Sequence, residues 1–77
     1  MTLEAAFGNV IRQLRSEKSL SQENLAFESD LDRSYVSQIE CGLRQPSLVT
    51  IFQLAKALQK SPACIIQSVE ILYNQQD

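Results

Sequence analysis

Arg33, Ser34, Ser37 and Gln38 stand within six residues of one another, and each carries a hydrogen-bonding side chain. At helical spacing they share one exposed face, and none of them is apolar. Such a face offers guanidinium, hydroxyl and amide groups to a hydrogen-bonding surface. Arginine can pair with guanine through two bonds. Catalytic chemistry has no comparable candidate. The chain contains no His, no phosphate-cradling glycine loop and no paired carboxylates, so an enzyme is not expected. Cys41 and Cys64 fall on different predicted helices without metal-site spacing, so neither a metal nor another cofactor is expected.

Ser21–Gly42, SQENLAFESDLDRSYVSQIECG, positions that face. Ser21 is a good N-cap, because its hydroxyl can accept a bond from a free amide of the first helical turn. Leu20 and Leu25 flank it at hydrophobic-staple positions. The device recurs with Asp32 as cap and Leu31 and Val36 as staple. Glu28-Ser29-Asp30 makes a polar break between the two helices, and Asp30 tolerates a left-handed backbone. Leu25, Ala26, Val36 and Ile39 form the inward face. The pattern predicts a helix-turn-helix whose second helix enters the DNA major groove.

At these residues the chain resembles the Cro/repressor helix-turn-helix regulators, the Xre-like family. The resemblance covers about Val10 to Leu58. It rests on IRQLRSEKSLSQENLA, on LDRSYVSQIE, and on Gly42-Leu43-Arg44-Gln45-Pro46-Ser47 leading into an apolar helix. Asp30 stands where the family usually has glycine, and Ser29 replaces a usually apolar neighbour. The resemblance implies an all-α five-helix bundle that binds double-stranded DNA. It implies that Arg15 pairs with Glu40 near the end of the reading helix. It also places Gln22, at the start of a helix, and the Arg44–Gln45 loop along phosphates. Tyr35 has two readings, packing over the first turn of the reading helix or reaching the sugar-phosphate backbone. The second reading groups it with Gln22, Arg44 and Gln45 at the phosphates.

At 77 residues the chain is read as one domain, 1–77, of a size at which burial is marginal. Its net charge of −2 argues against a basic overall surface. Arg33 and Arg44 sit among Glu23, Glu28, Asp30, Asp32 and Glu40, so a narrow positive strip is expected. No apolar run reaches the ~20 residues of a membrane span, and no secretory leader is legible. A cytoplasmic protein is expected. That setting disfavours a disulfide, and both cysteines are expected to be buried or half-buried. Cys41, at the end of the reading helix, is a minor redox candidate.

Leu3, Phe7, Val10, Ile11 and Leu14 predict a first helix over about 3–16. Gly8 within it costs up to ~1 kcal/mol against Ala, so a close helix contact is expected there. Gly42 should end the reading helix in a left-handed conformation. Ser47 should cap a scaffold helix carrying Leu48, Ile51, Leu54, Ala55 and Leu58, with Phe52 beside that stripe. Ser61 and Pro62 open a last helix cleanly. One of its faces can bury Ile65, Val69 and Leu72, which leaves Ile66, Ile71 and Tyr73 needing cover. A helix apolar over more than one face is usually sandwiched between two bodies. Residues 61–77 are therefore read as a homodimerisation helix and tail, with Ile66, Val69, Ile71, Leu72 and Tyr73 at the interface and Asn74–Asp77 frayed.

Among Xre-like proteins, so short a chain with a single helix after the motif looks like the controller proteins of restriction–modification systems. That resemblance implies a homodimeric transcription regulator on a pseudo-palindromic operator, with RNA polymerase as a further partner if it activates. The alternatives are a phage-type repressor or an antitoxin with the same core. From a different class, the alternative is a protein-interaction module that has kept the fold without binding DNA.

Overall fold

The computed structural model describes residues 1–75. Four helices begin on a hydroxyl that accepts from the amide three residues ahead. Thr2 takes Ala5 N at 3.0 Å, Ser21 takes Asn24 N at 3.0 Å, Ser47 takes Thr50 N at 3.1 Å and Ser61 takes Cys64 N at 3.0 Å. Each cap satisfies one donor that the helix cannot. The helices are α1 (Leu3–Glu17), α2 (Gln22–Ser29), α3 (Arg33–Glu40), α4 (Leu48–Leu58) and α5 (Pro62–Asn74). No strand occurs among the described residues. Asp32 occupies the capping position of α3 but makes no side-chain cap bond. Its carboxylate instead accepts the Ser34 hydroxyl at 3.0 Å, so the expected cap is only positional.

The helix ends follow one device as well. After α1, α2, α3 and α4 the chain passes through a left-handed residue, respectively Ser19, Asp30, Gly42 and Gln59, with φ of 57°, 58°, 75° and 57°. In each case the next amide reaches back to a carbonyl in the last turn, as from Leu31 to Ala26 at 2.9 Å and from Leu43 to Gln38 at 2.9 Å. These are Schellman closures. Asp30 and Gly42 fit the sequence expectation, whereas Ser19 and Gln59 carried no signal for it. Ser29, the polar residue at a usually apolar site, is buried and donates its hydroxyl to the Leu25 carbonyl at 2.6 Å.

Ile11, Leu25, Val36, Ile39, Leu54, Leu58 and Ile65 are fully buried and draw all five helices onto one core. Burying each such side chain contributes about 1.5–3 kcal/mol. α1 lies against α3 and α5, α2 against α3 and α4, and α4 against α5. Gly8 faces the end of α3, where a Cβ would stand 2.4 Å from the Ile39 carbonyl oxygen and 2.7 Å from that of Glu40. It is the expected close contact.

Several expectations at the margins of the core need correction. Leu3 and Leu48 are exposed because each lies at the open first turn of its helix, ahead of the turns that meet neighbours. Cys41 and Cys64 are likewise exposed, since Cys41 follows the last turn of α3 and Cys64 lies on the outer side of α5. α1 runs one residue beyond the expected Ser16. α5 includes Asn74, the first residue of the tail expected to fray, and residues 76–77 lie outside the described residues. Among the described residues no helix is long and apolar enough to cross a membrane.

Candidate nucleic-acid interface

α3 buries Val36 and Ile39 and turns its other side outward. Arg33 and Ser34 are exposed, and Ser37 and Gln38 are half-buried. All four belong to the single short helix that follows the Asp30 turn. The inner side of that helix is tied down by Glu40, whose side chain has no exposed surface. Arg15 Nε lies 2.7 Å from Glu40 Oε2, and its Nη2 lies 3.0 Å from Oε1. The third arm of the same guanidinium, Nη1, donates to the Leu20 carbonyl at 2.9 Å. One side chain therefore joins α1, the turn before α2 and the end of α3. The bonds to Glu40 hold the Arg15 guanidinium above its ordinary value, although burial opposes them.

Arg12 enters this cluster without having been singled out by the sequence. Its Nη2 donates to the Glu40 carbonyl at 3.1 Å, and its Nε lies 3.9 Å from the Glu40 carboxylate. A cation there complements the negative end of α3. The legible signal was Arg12-x-x-Arg15, which puts both guanidiniums on one face of α1.

Gln22 stands at the first position of α2, and its Nε2 donates to Glu40 Oε1 at 3.0 Å. One amide hydrogen thus points to Glu40 and the other is left for a ligand. No buried side-chain nitrogen or oxygen among the described residues lacks a partner.

Tyr35 and Arg44 form a second assembly. The Arg44 guanidinium carbon sits 5.1 Å from the centroid of the Tyr35 ring, inside the range of a cation–π contact. Its Nη1 donates to Gln38 Oε1 at 3.1 Å. The Tyr35 hydroxyl is 3.3 Å from Thr50 Oγ1, and Thr50 Oγ1 is 2.9 Å from Ser47 Oγ. Tyr35 is therefore half-buried between the Arg44 side chain and the start of α4. Gln45 is exposed and borders a groove with Leu3, Pro46, Ile66 and Tyr73.

The residues assigned to α5 divide in two. Ile66 and Tyr73 line that groove between α1 and α5. Ile71 lines another, with Val10, Leu14 and Leu72. At 100° per residue it lies about 140° around the helix from Ile66. Leu72 is half-buried and Val69 is only 4% exposed. Val69 therefore keeps almost no surface for a second body.

Two short helices joined at a left-handed turn, with a polar outer helix bound to its neighbours through a buried carboxylate, define a helix-turn-helix protein. The chain belongs to the helix-turn-helix family, whose model, described as "Helix-turn-helix", matches residues 11–63. Among its relatives, the control protein C.BamHI of Bacillus amyloliquefaciens is 47% identical over 66 residues, which cover 84% of this chain and 82% of that protein. The crystal structure of the restriction-modification controller protein C.AhdI from Aeromonas hydrophila superposes with a TM-score of 0.79 at 52% identity, covering 80% of this chain and 94% of that one. The controller protein C.Esp1396I, solved as a tetramer in complex with its natural 35 base-pair operator, gives 0.82 at 32% identity over 90% of this chain and 91% of that one.

Proposed function

We propose that this chain is a sequence-specific, double-stranded DNA-binding transcription regulator of the restriction–modification controller type, acting as a homodimer on a pseudo-palindromic operator. The observation that carries it is the outer face of α3, where Arg33, Ser34, Ser37 and Gln38 turn away from a core that fixes the helix through Val36, Ile39 and Glu40. In this reading these four residues meet base edges, and Gln22, Tyr35, Arg44 and Gln45 serve the phosphate backbone. The protein is non-catalytic and cytoplasmic.

The similarity to proteins that are themselves restriction–modification controllers, one of them solved on its operator, supports the regulator reading. The exposed apolar side chains of α5 support the dimer, since a soluble chain leaves such residues uncovered at a cost. In this reading residues 61–77 are the dimerisation segment of the single domain. Two motifs fixed about 34–36 Å apart read half-sites one turn apart on the same side of the duplex.

Binding of the full chain to a randomised duplex library at several salt concentrations, followed by sequencing of the retained fraction, tests this. The expected result is a twofold-symmetric site, bound with a steep salt dependence. Retention of no duplex, or of every sequence alike, overturns the reading.

A further inference from the structure

From the contact between Arg44 and Gln38 we infer that Arg44 is a positioning residue that sets which hydrogen-bonding face Gln38 turns to a base, and so narrows base preference at that position. This rests on the proposed DNA-reading role of α3. It gives Arg44 an effect that differs in kind from a phosphate contact.

A guanidinium has only donors. With Arg44 Nη1 3.1 Å from it, the Gln38 amide must turn its oxygen toward the loop and its –NH2 elsewhere. A free glutamine amide can flip, but this one is oriented. The orienting arm is itself supported. The Tyr35 ring lies under the guanidinium, and the Tyr35 hydroxyl meets Thr50, which is buried and bonded to the cap residue of α4. The loop is held from the other side, because Gly42 adopts a left-handed φ and the Leu43 amide bonds the Gln38 carbonyl at 2.9 Å. A series of side chains thus runs from the start of α4 through Tyr35 and Arg44 to Gln38.

The consequence concerns base chemistry. A Gln38 that offers its –NH2 favours edges rich in acceptors, such as guanine N7 and O6 or thymine O4. It disfavours the cytosine amino group. It also disfavours the two-bond pairing with adenine, which needs the amide oxygen as well as the nitrogen. Without Arg44 the amide is free to turn, and adenine and cytosine become better tolerated.

The test uses the full chain and the duplex enriched from a randomised library. The base pair read by Gln38 is the one whose preference collapses in Gln38→Ala. Dissociation constants are then measured for duplexes varied at that pair, with wild type, Arg44→Ala, Arg44→Lys, Tyr35→Leu and the double variant Gln38→Ala/Arg44→Ala, across a salt series. Arg44→Ala is expected to lower the preference at that pair about five- to tenfold beyond any uniform loss. Arg44→Lys keeps the charge and the salt slope but loses the planar guanidinium that the Tyr35 ring holds in place, so the preference stays low. Tyr35→Leu, checked by thermal melting for an intact fold, repeats the loss of preference. In the Gln38→Ala background, Arg44→Ala should change affinity for all duplexes equally. If Arg44→Ala weakens every duplex by one factor with preferences intact, or if Gln38→Ala alters no base preference, the inference is overturned. Failure of the wild type to select any duplex would overturn the DNA-binding reading itself, a result distinct from either.

Discussion

Arg15 and Glu40, 25 residues apart in the chain, meet through two bonds of 2.7 and 3.0 Å at a carboxylate with no exposed side-chain surface. Arg15 keeps 17% of its side-chain surface exposed, so the two partners are not equivalent. Arg15→Ala would leave the buried carboxylate with only the Gln22 amide bonded to it and Arg12 3.9 Å away, so the loss should fall below the roughly 3–5 kcal/mol of a buried pair broken outright. Glu40→Gln leaves a partly hydrated arginine and a neutral amide, so it should cost less. Urea unfolding of both variants measures the difference. Equal losses would show that the pair contributes through packing rather than through a buried charge.

Helix propensity and packing predict opposite signs at Gly8. Propensity favours Gly8→Ala by up to ~1 kcal/mol. The added Cβ would lie 2.4 Å from a backbone oxygen of α3, and backbone cannot move aside as a flexible side chain can. Overpacking of this kind costs about 1–3 kcal/mol, so net destabilisation is expected. A raised melting temperature for Gly8→Ala would contradict the close approach.

Gln59 closes α4 with φ of 57° and is exposed. A glycine relieves the left-handed strain there, so Gln59→Gly should stabilise the chain by about 0.5–1 kcal/mol despite the greater freedom of the unfolded glycine. The side chain also accepts from Lys18 Nζ, a surface contact of small value. Thermal denaturation decides the matter, and a lower midpoint would mean that this contact outweighs the strain.

For base reading the informative variant is Arg33→Ala. If Arg33 pairs with guanine through two bonds, its removal should relax preference at one position per half-site by about 1–3 kcal/mol. Equal weakening on operator and random duplex would assign Arg33 to a phosphate instead.

The two flanks of α5 can be separated by sedimentation. Ile66 and Tyr73 share a groove with Leu3, whereas Ile71 faces another direction. If the twofold contact uses the first flank, Ile66→Glu and Tyr73→Glu should give folded monomers with sharply weaker operator binding, and Ile71→Glu should remain dimeric. Dissociation by Ile71→Glu alone would move the axis to the other flank. A wild-type monomer at micromolar concentration, free and on DNA, would remove the dimer altogether.

Sequence determined what is local in this protein. Caps at Ser21, Ser47 and Ser61, the left-handed turns at Asp30 and Gly42, and the apolar stripes through Ile11, Leu25, Ile39, Leu54 and Ile65 each depend on residues within a turn or two of one another. Tertiary structure decided what depends on distance across the chain. Periodicity shows that Leu3 and Leu48 lie on apolar faces, but only the packing of the neighbouring helices reveals that both stay largely exposed. The left-handed Ser19 and Gln59 lacked a signal because the fold, rather than the residue type, requires the sharp reversal there. Arg12 joined the Glu40 cluster, and Arg44 came to rest on Tyr35 with Gln38 in reach, because long flexible side chains go where donors, acceptors and ring faces are brought together. That convergence is set by how helices and loops pack, and spacing along the chain does not encode it.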